Sequence, residues 1–240
     1  MATYNGEKYI REQIDSILCQ IRANDELVIS DDGSNDDTIE IIKEYEKKDS
    51  RVKLFHNTGE HKTIWNFENA LQNSKGKYIF LADQDDIWCQ NKIETYLRYF
   101  NDYDIIVSDA KLIDERGNLI NDSFFSFRKP RKTILGNLLK FGYLGCCMAF
   151  KREVFERALP FPSNSCLCTH DNWLFLIGCC YFKYKILEEK LLLYRRHADN
   201  VSTGGLQNTT SFLFKIHYRL YLFFHLITHI QFNERSFYTE

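Results

Sequence analysis

Short apolar runs alternate with helically spaced apolar residues through the first half of the chain. The apolar runs predict buried strands at 27–30, 52–55, 78–82 and 105–108. The helical spacing predicts helices at 37–47, 63–73 and 91–100. Strands that alternate with helices indicate an α/β fold, Rossmann-like, with a mostly parallel central sheet flanked by helices.

The pattern changes after residue 109. A hairpin is predicted at 111–120, around a turn that contains Gly117. Further strands are predicted at 144–150 and 191–194, and a helix at 172–181. Because no Pro-, Gly- or Ser-rich linker divides the chain, we expect one domain over 1–205, with a mixed second half over 110–205.

Aromatic and aliphatic residues crowd the C-terminal segment, 206–240, most densely over 211–232. Lys215, Arg219 and three histidines are interleaved with them. We expect an aromatic-rich helix. It either packs on the domain or on a further part of the protein, or it lies in a membrane surface as a peripheral contact. No run of about 20 apolar residues predicts a membrane-spanning helix.

Composition narrows the class of partner and the compartment. The net charge is −2 and the sequence pI is about 6.4, so no basic excess indicates nucleic acid as a partner. The eight cysteines show no Cys-x-x-Cys spacing. We interpret them as buried thiols of a reduced protein, which favours a cytoplasmic location.

Acidic residues follow three of the predicted strands: Asp31 and Asp32, then Asp83, Asp85 and Asp86, then Asp109. Parallel strands would bring them to one edge of the sheet, where ligands of open α/β folds bind. Such carboxylates repel one another unless a cation or hydrogen-bond donors lie between them, and hard oxygen ligands suit Mg²⁺ or Mn²⁺. The alternative for each cluster is a turn or helix cap, and for Asp109 we expect a structural role.

Two later clusters could complete such a site. His170-Asp171-Asn172-Trp173 opens a predicted helix, so Asp171 is a candidate general base or an N-cap. Arg195, His197 and Asn200 follow the last predicted strand. Arginine and histidine suit a diphosphate, and neutral histidine suits a metal; the alternative is a polar loop.

Five stretches in order carry a resemblance to a known family: 2–10, 29–34, 76–88, 170–173 and 194–200. Together they resemble glycosyltransferase family 2 enzymes of GT-A fold, and within these the bacterial rhamnosyltransferase group. Members of the family usually begin with a full apolar strand ahead of the motif that contains Thr3. Because Met1 lies almost at the end of that strand here, we expect a very short first strand.

The resemblance implies roles for these residues. Thr3, Tyr4, Asn5, Asp31, Asp32 and Asp83 would bind the nucleotide, and 1–109 would be the half that binds the nucleotide-sugar. Asp83, Asp85 and His197 would hold Mn²⁺ or Mg²⁺, and Asp171 would be the catalytic base of an acceptor half over 110–205. Further candidates for the site are Glu7, Asp86, Trp88, His170, Trp173, Arg195 and Asn200.

The implied reaction is a one-step, inverting transfer of a sugar, with rhamnose as one candidate. The donor would be linked to dTDP or UDP, and the acceptor would be a hydroxyl of a cell-surface glycan or a lipid-linked precursor. The implied place is the cytoplasm, including the inner face of the plasma membrane. Two rivals stay open: a non-catalytic relative that binds nucleotide-sugar without turnover, and a metal-dependent phosphohydrolase that uses the same carboxylates.

Overall fold

The computed structural model describes residues 1–198, 200 and 211–237, with side chains described as far as residue 229. The strands are β1 (Ala2–Thr3), β2 (Leu27–Asp31), β3 (Val52–His56), β4 (Tyr78–Phe80), β5 (Ile87–Trp88), β6 (Ile105–Ile113), β7 (Leu119–Asn121), β8 (Met148–Lys151) and β9 (Tyr184–Arg195). The helices are α1 (Ile10–Leu18), α2 (Thr38–Lys48), α3 (Thr63–Asn73), α4 (Lys92–Tyr99), α5 (Phe124–Arg128), α6 (Ile134–Leu139), α7 (Arg152–Ala158), α8 (His170–Tyr181) and α9 (Phe212–Phe237).

The first three strands form one parallel sheet, in the order β1-β2-β3. All five residues of β2 are buried, which fits a central strand covered on both faces. The first strand is only two residues long, as expected, yet Thr3 is in register with Asp31. The Ala2 amide also donates to the Ala82 carbonyl at 3.3 Å, so β1 bridges β2 and the end of β4.

The second sheet has the order β4-β8-β6-β9-β5, with β7 paired to β6. Its β6–β9 pair is parallel, whereas β8 lies antiparallel between β4 and β6, and β5 is antiparallel to β9. The α/β fold with a parallel sheet and flanking helices is therefore confirmed. Parallel pairing is found in the sheet β1-β2-β3 and between β6 and β9. The second sheet is mixed, because β8 pairs antiparallel with β4 and β6.

Three elements differ most from their predicted extents. Strand β6 continues to Ile113, so it joins the strand predicted at 105–108 to the first strand of the predicted hairpin. The predicted strand at 144–150 begins instead with a short 3₁₀ helix, Gly145–Cys147, and only then becomes β8. An apolar run alone does not separate a buried strand from a buried helical turn. Strand β9 begins at residue 184 rather than 191. The sequence predicted only its second part because Glu188, Glu189 and Lys190 interrupt the apolar pattern, although β9 pairs with β6 on both sides of them.

The C-terminal helix α9 packs on the domain through Leu222 and Leu226, which are buried against the core that includes α8. The helix predicted in the C-terminal segment is therefore present, while 206–210 and 238–240 lie outside the described residues. Within the part of the chain that the structure describes, no helix has both the length and the apolarity needed to cross a membrane.

Candidate active site

A cleft of about 1070 Å³ opens where β1, β2 and β4 end, between the first turns of α3 and α8. This is the edge of an open α/β sheet at which ligands bind. Half of the predicted site residues line it: Thr3, Tyr4, Asp32, Asp83, Asp85, His170, Asp171 and Asn200. The structure thus brings together residues that are almost two hundred positions apart in the chain.

Asp31 holds the turn that shapes one end of the cleft. Its Oδ1 accepts from the amides of Gly33 at 3.0 Å and Ser34 at 2.8 Å, and its Oδ2 accepts from the hydroxyls of Ser34 at 2.5 Å and Thr3 at 3.0 Å. Gly33 has φ +86°, a conformation that favours glycine. Since these four hydrogen bonds come from the chain itself, Asp31 positions Thr3 and the turn.

Asp32 faces the cleft beside two residues that the sequence did not single out. Asn57 donates from Nδ2 to Asp32 Oδ1 at 2.7 Å, and His61 Nδ1 lies 3.2 Å from the same oxygen. Both residues come just after β3, as Asp32 comes just after β2. The sequence signal that points to Asn57 and His61 is their position just after a strand of the parallel sheet, the same signal that singled out Asp32.

Gln84 is a third residue that the sequence pattern did not single out, because it stands between the two aspartates of Asp83-Gln84-Asp85. Its side chain accepts from the Tyr4 amide at 2.8 Å and donates to the Tyr4 carbonyl at 2.9 Å. A Cβ on Gly6 would lie 2.4 Å from Gln84 Oε1, so the glycine makes room for this pair. Gln84 fixes the backbone of the predicted nucleotide-binding segment against the acidic cluster.

Asn5 and Glu7 serve the neighbouring loop. Asn5 has φ +49° and accepts from the Asn35 amide at 2.9 Å through Oδ1, while Glu7 accepts from the Asp37 amide at 2.9 Å. Both side chains therefore hold the segment before α2, and the structure gives them a positioning role rather than a place on the wall of the cleft.

Asp85 is held from the far side by the segment after β9. Its Oδ2 accepts from Asn200 Nδ2 at 3.0 Å and hydrogen-bonds His197 Nε2 at 2.9 Å. The predicted neighbourhood of Asp85 and His197 is thus present in the structure. Because Asn200 lies directly before the undescribed residues 201–210, the described part of this segment ends at the site itself.

The Asp83 carboxyl lies among other acids. Burial, together with the negative charges of Asp85 and Asp171, raises its pKa from the ordinary value to about 7. Burial and the charges of Asp85 and Asp83 also raise the pKa of Asp86 well above its usual range. The floor of the cleft therefore concentrates negative charge in a way that a bound cation would relieve.

Two sets of side chains offer ligand atoms for a cation. Ligand atoms of Asp83, Asp86 and Cys146 lie within 4.8 Å of one another. Burial raises the pKa of the Cys146 thiol well above its usual value, so it stays a neutral, soft ligand that suits Mg²⁺ or Mn²⁺ poorly. Asp83 and Asp85 present hard carboxylate oxygens to the open cleft, and these residues fit such an ion.

Arg195 braces this floor and does not face the cleft. It is 3% exposed, and its guanidinium donates to the Asp85 carbonyl at 2.8 Å, to Glu12 Oε2 at 2.5 Å and to the Glu115 carbonyl at 3.3 Å. Its backbone amide donates to Asp86 Oδ1 at 3.0 Å. The expectation that this arginine suits a diphosphate is therefore corrected: its donors are committed to the protein.

Asp171 lies in the first turn of α8 and lines the cleft. Thr169, not Asp171, occupies the N-cap position, so the alternative of a simple cap does not apply. Asp171 Oδ1 accepts from the Asn172 amide at 2.8 Å. Gly145 lets the helix come close, since a Cβ there would lie 3.0 Å from the Asp171 Cβ.

His170 packs flat against Phe67, with ring centroids 3.7 Å apart. Burial lowers its pKa, which favours the neutral imidazole. Its Nε2 is buried and has no hydrogen-bond partner among the described residues. His170 therefore offers a neutral ring at the edge of the cleft.

The two candidate tryptophans belong to the core. Trp88 packs under the Lys92 ammonium, which lies 4.5 Å from the ring centroid, and Trp173 donates from Nε1 to the Ala158 carbonyl at 2.8 Å. Their expected part in the site is corrected to packing. Asp109 is structural, as expected, because it accepts from the Ser123 hydroxyl at 2.5 Å and the Phe125 amide at 2.9 Å.

An α/β fold with a polar cleft at the carboxyl ends of its strands is typical of nucleotide-binding proteins. The chain belongs to one family of them: the sequence model of Glycosyl transferase family 2 matches residues 1–159. The resemblance found in the sequence motifs is thereby confirmed for the family. Asp171 and the segment 194–200 lie beyond the matched residues.

Known proteins similar to this chain include enzymes and solved structures. The UDP-Glc:alpha-D-GlcNAc-diphosphoundecaprenol beta-1,3-glucosyltransferase WfgD of Escherichia coli is 31% identical over 68% of this chain and 62% of its own length. The structure of S. aureus TarS 1-349 in complex with UDP-GlcNAc has a TM-score of 0.65 at 18% identity, covering 83% of this chain and 58% of that one.

A third similar protein is a mannosyltransferase of Pyrobaculum calidifontis, solved in complex with GDP-Man and Mn²⁺. It has a TM-score of 0.55 at 18% identity and covers 81% of this chain and 55% of that one. The chain thus spans less than two thirds of each of these three proteins. At such identities the two solved structures show the GT-A fold alone.

Proposed function

We propose that this chain transfers a sugar from a UDP-linked donor to a hydroxyl of a glycan precursor. The observation that carries the proposal is the meeting of Asp83, Asp85 and Asp171 in one cleft at the ends of the parallel strands. The similar proteins support UDP as the nucleotide, since one is described as using UDP-Glc and another is bound to UDP-GlcNAc. A dTDP-linked donor, and with it rhamnose, is the alternative that a donor screen tests.

The nucleoside end of the cleft is formed by β1 and the turn after β2. Thr3 and Tyr4 present backbone and side chain there, fixed by Asp31 and Gln84 respectively. Asp32 adds a carboxylate that can accept hydrogen bonds from a base or ribose. A donor bound here would have its diphosphate above Asp83 and Asp85.

The residues at the floor fit Mn²⁺ or Mg²⁺, which when bound would neutralise the charge of the diphosphate leaving group. The chain's own contribution is to hold the oxygens in place. His197 and Asn200 fix Asp85, and the Arg195 guanidinium fixes its carbonyl. Burial, and in addition the charges of Asp85 and Asp171, raises the pKa of Asp83, and a cation beside these residues would stabilise its ionised form.

Asp171 is the proposed general base. As the acceptor oxygen forms its bond to the anomeric carbon, its proton passes to the Asp171 carboxylate, and the bond to the diphosphate breaks with its electron pair. Attack opposite the leaving group inverts the anomeric centre. Asp171 lies in the first turn of α8 and lines the cleft.

The test is a thermal-shift screen of UDP-, dTDP- and GDP-sugars with and without Mn²⁺, followed by measurement of UDP release. We expect stabilisation by a UDP-sugar that requires Mn²⁺ and is lost in Asp85→Asn. Binding without UDP release across glycan and lipid-linked acceptors would favour the non-catalytic rival. Phosphate release from a simple phosphate ester, with no sugar donor present, would favour the phosphohydrolase.

A further inference from the structure

The helix α9 has apolar residues on two opposite faces. One face packs on the domain, where Leu222 and Leu226 are buried and the Tyr221 hydroxyl accepts from the Asn164 amide at 3.0 Å. The other face is open to solvent and carries, at spacings of three and four residues, Phe212, Ile216, Leu220, Phe223, Phe224 and Ile227. Leu220 and Phe224 are 61% and 63% exposed. We call these six residues the outer stripe.

An exposed stripe of large apolar side chains is costly in water and marks an interaction surface. Among the described residues, Leu222 and Leu226 on the other face of α9 are buried on the core, while the six residues of the outer stripe are 37–74% exposed. The charges around the outer stripe indicate what covers it.

The surface next to the outer stripe is basic. From residue 123 to 152 the chain contains no Asp or Glu, and its described residues include Arg128, Lys129, Arg131, Lys132 and Lys140. The C-terminal end of α6 touches α9, because Arg219 donates from Nε to the Leu139 carbonyl at 2.9 Å. Leu135, on α6, is 66% exposed and continues the apolar surface.

The same two helices form one rim of the cleft. Phe214, Lys215, Tyr218 and Arg219 of α9 line it, and so do Arg128, Arg131, Leu139 and Lys140 from the α5–α6 region. Helix α9 therefore carries both the outer stripe and residues of the cleft rim, and it touches the basic α5–α6 region through Arg219. Whatever covers the stripe also lies beside the entrance through which the acceptor reaches Asp171.

We propose that the outer stripe and the basic α5–α6 surface dock on an anionic lipid bilayer, with α9 lying in the interface plane. Apolar side chains flanked by lysine and arginine suit a surface with hydrocarbon beneath negative headgroups. A second copy of this chain would bring the same cations face to face, which disfavours dimerisation through this surface. The bilayer is therefore the occupant that the charges select.

Docking in this orientation also indicates the class of acceptor, a point that rests on the proposed function. The cleft rim would lie at headgroup level, so a glycan carried on a lipid phosphate or diphosphate could reach Asp171 without leaving the membrane. Arg131 and Lys140 on the rim carry charges that suit such a phosphate. The acceptor is thus inferred to be lipid-linked rather than a free oligosaccharide.

The test is co-sedimentation of the full chain with vesicles of phosphatidylcholine alone and of phosphatidylcholine and phosphatidylglycerol in equal parts. We expect binding to the anionic vesicles that weakens with added salt, and little binding to the neutral ones. The double variant Leu220→Glu/Phe224→Glu should lose binding. The variants Lys129→Gln and Lys132→Gln should each weaken it about fivefold, which corresponds to about 1 kcal/mol per basic side chain.

The matched control is Leu119→Glu/Ile120→Glu, which places the same charges at exposed apolar positions of β7, 58% and 56% exposed. This control should bind vesicles as the unmodified chain does. Equal loss in both double variants, no binding to anionic vesicles, or a concentration-dependent dimer that the Leu220→Glu/Phe224→Glu change abolishes would each overturn the proposal. Mn²⁺-dependent UDP binding, measured on the same samples, separates this failure from a failure of the proposed function.

Discussion

At the scale of single residues, the proposed chemistry depends most on Asp171. We expect Asp171→Asn to slow sugar transfer by a factor of about 10² to 10⁴, because the amide cannot take the proton of the acceptor hydroxyl. Donor binding should stay within about twofold, since Asp83 and Asp85 remain in place. Transfer assays and calorimetric titration with UDP-sugar measure the two effects separately.

The control for this variant is Glu94→Gln, which removes a carboxylate from the first turn of α4. It should leave both the transfer rate and donor affinity unchanged. If Asp171→Asn transfers sugar at the normal rate, Asp171 is not the base.

The raised pKa of Asp83 makes the stability of the folded protein depend on pH. Its pKa is raised to about 7 in the folded protein, so between about pH 4 and pH 7 the folded state holds a proton that the unfolded chain has released. The stability of the metal-free protein should therefore fall with rising pH across this window, relative to Asp83→Asn, which has no such proton. Melting temperatures of both proteins at a series of pH values measure the difference.

Saturating Mn²⁺ should reduce or reverse this trend, because the cation binds the deprotonated carboxylate. Parallel pH profiles for the two metal-free proteins would contradict the raised pKa.

The sequence could name many residues of the site but not their division of labour. Asp83, Asp85, Asp171 and His197 were identifiable because each follows a strand or opens a helix at a position that strand order brings together. Gln84 and Asn57 were missed, because an amide that holds a backbone or a neighbouring carboxylate has no motif of its own. The hydrogen bonds of Arg195 could not be predicted, because their partners Glu12, Asp85 and Glu115 lie far from it in the sequence.

At the scale of elements, β9 supports the site through one buried cation. Replacing Arg195 with Met should destabilise the protein by about 1–3 kcal/mol, because the Asp85 carbonyl would lose its buried donor, whereas Glu12 is 56% exposed and can be hydrated. The matched control is Arg11→Met, whose partner Glu44 and whose own side chain are both 49% exposed, and which should cost about 0–1 kcal/mol. Chemical denaturation of the two variants compares them, and equal losses would contradict the bracing role of Arg195.

Element boundaries were predictable where the apolar pattern was clean, as in α3, which spans the predicted residues. They were not predictable where pairing overrides composition. Glu188, Glu189 and Lys190 continue β9 because β6 pairs along both sides of them. The turn at Gly145–Cys147 is buried throughout, so no polar residue in the sequence marks the change from helix to strand.

At the scale of the whole molecule, charge is distributed unevenly although the net charge is only −2. Acidic groups gather on the floor of the cleft, and cations gather on the rim formed by the α5–α6 region and α9. Composition alone showed no basic excess, because the two groups cancel in the sum. The fold separates them, and this separation suits a cation and diphosphate inside the cleft and an anionic surface at its entrance.

The most direct measurement of the central claim is diffraction from crystals of the full chain grown with UDP and Mn²⁺. Anomalous scattering locates the manganese independently of any assumption about the site. We predict a single strong peak bridging Asp83, Asp85 and the diphosphate, with the uridine beside Thr3 and Asp32. Manganese at the buried Asp86 and Cys146, or UDP bound outside the cleft, would contradict the account.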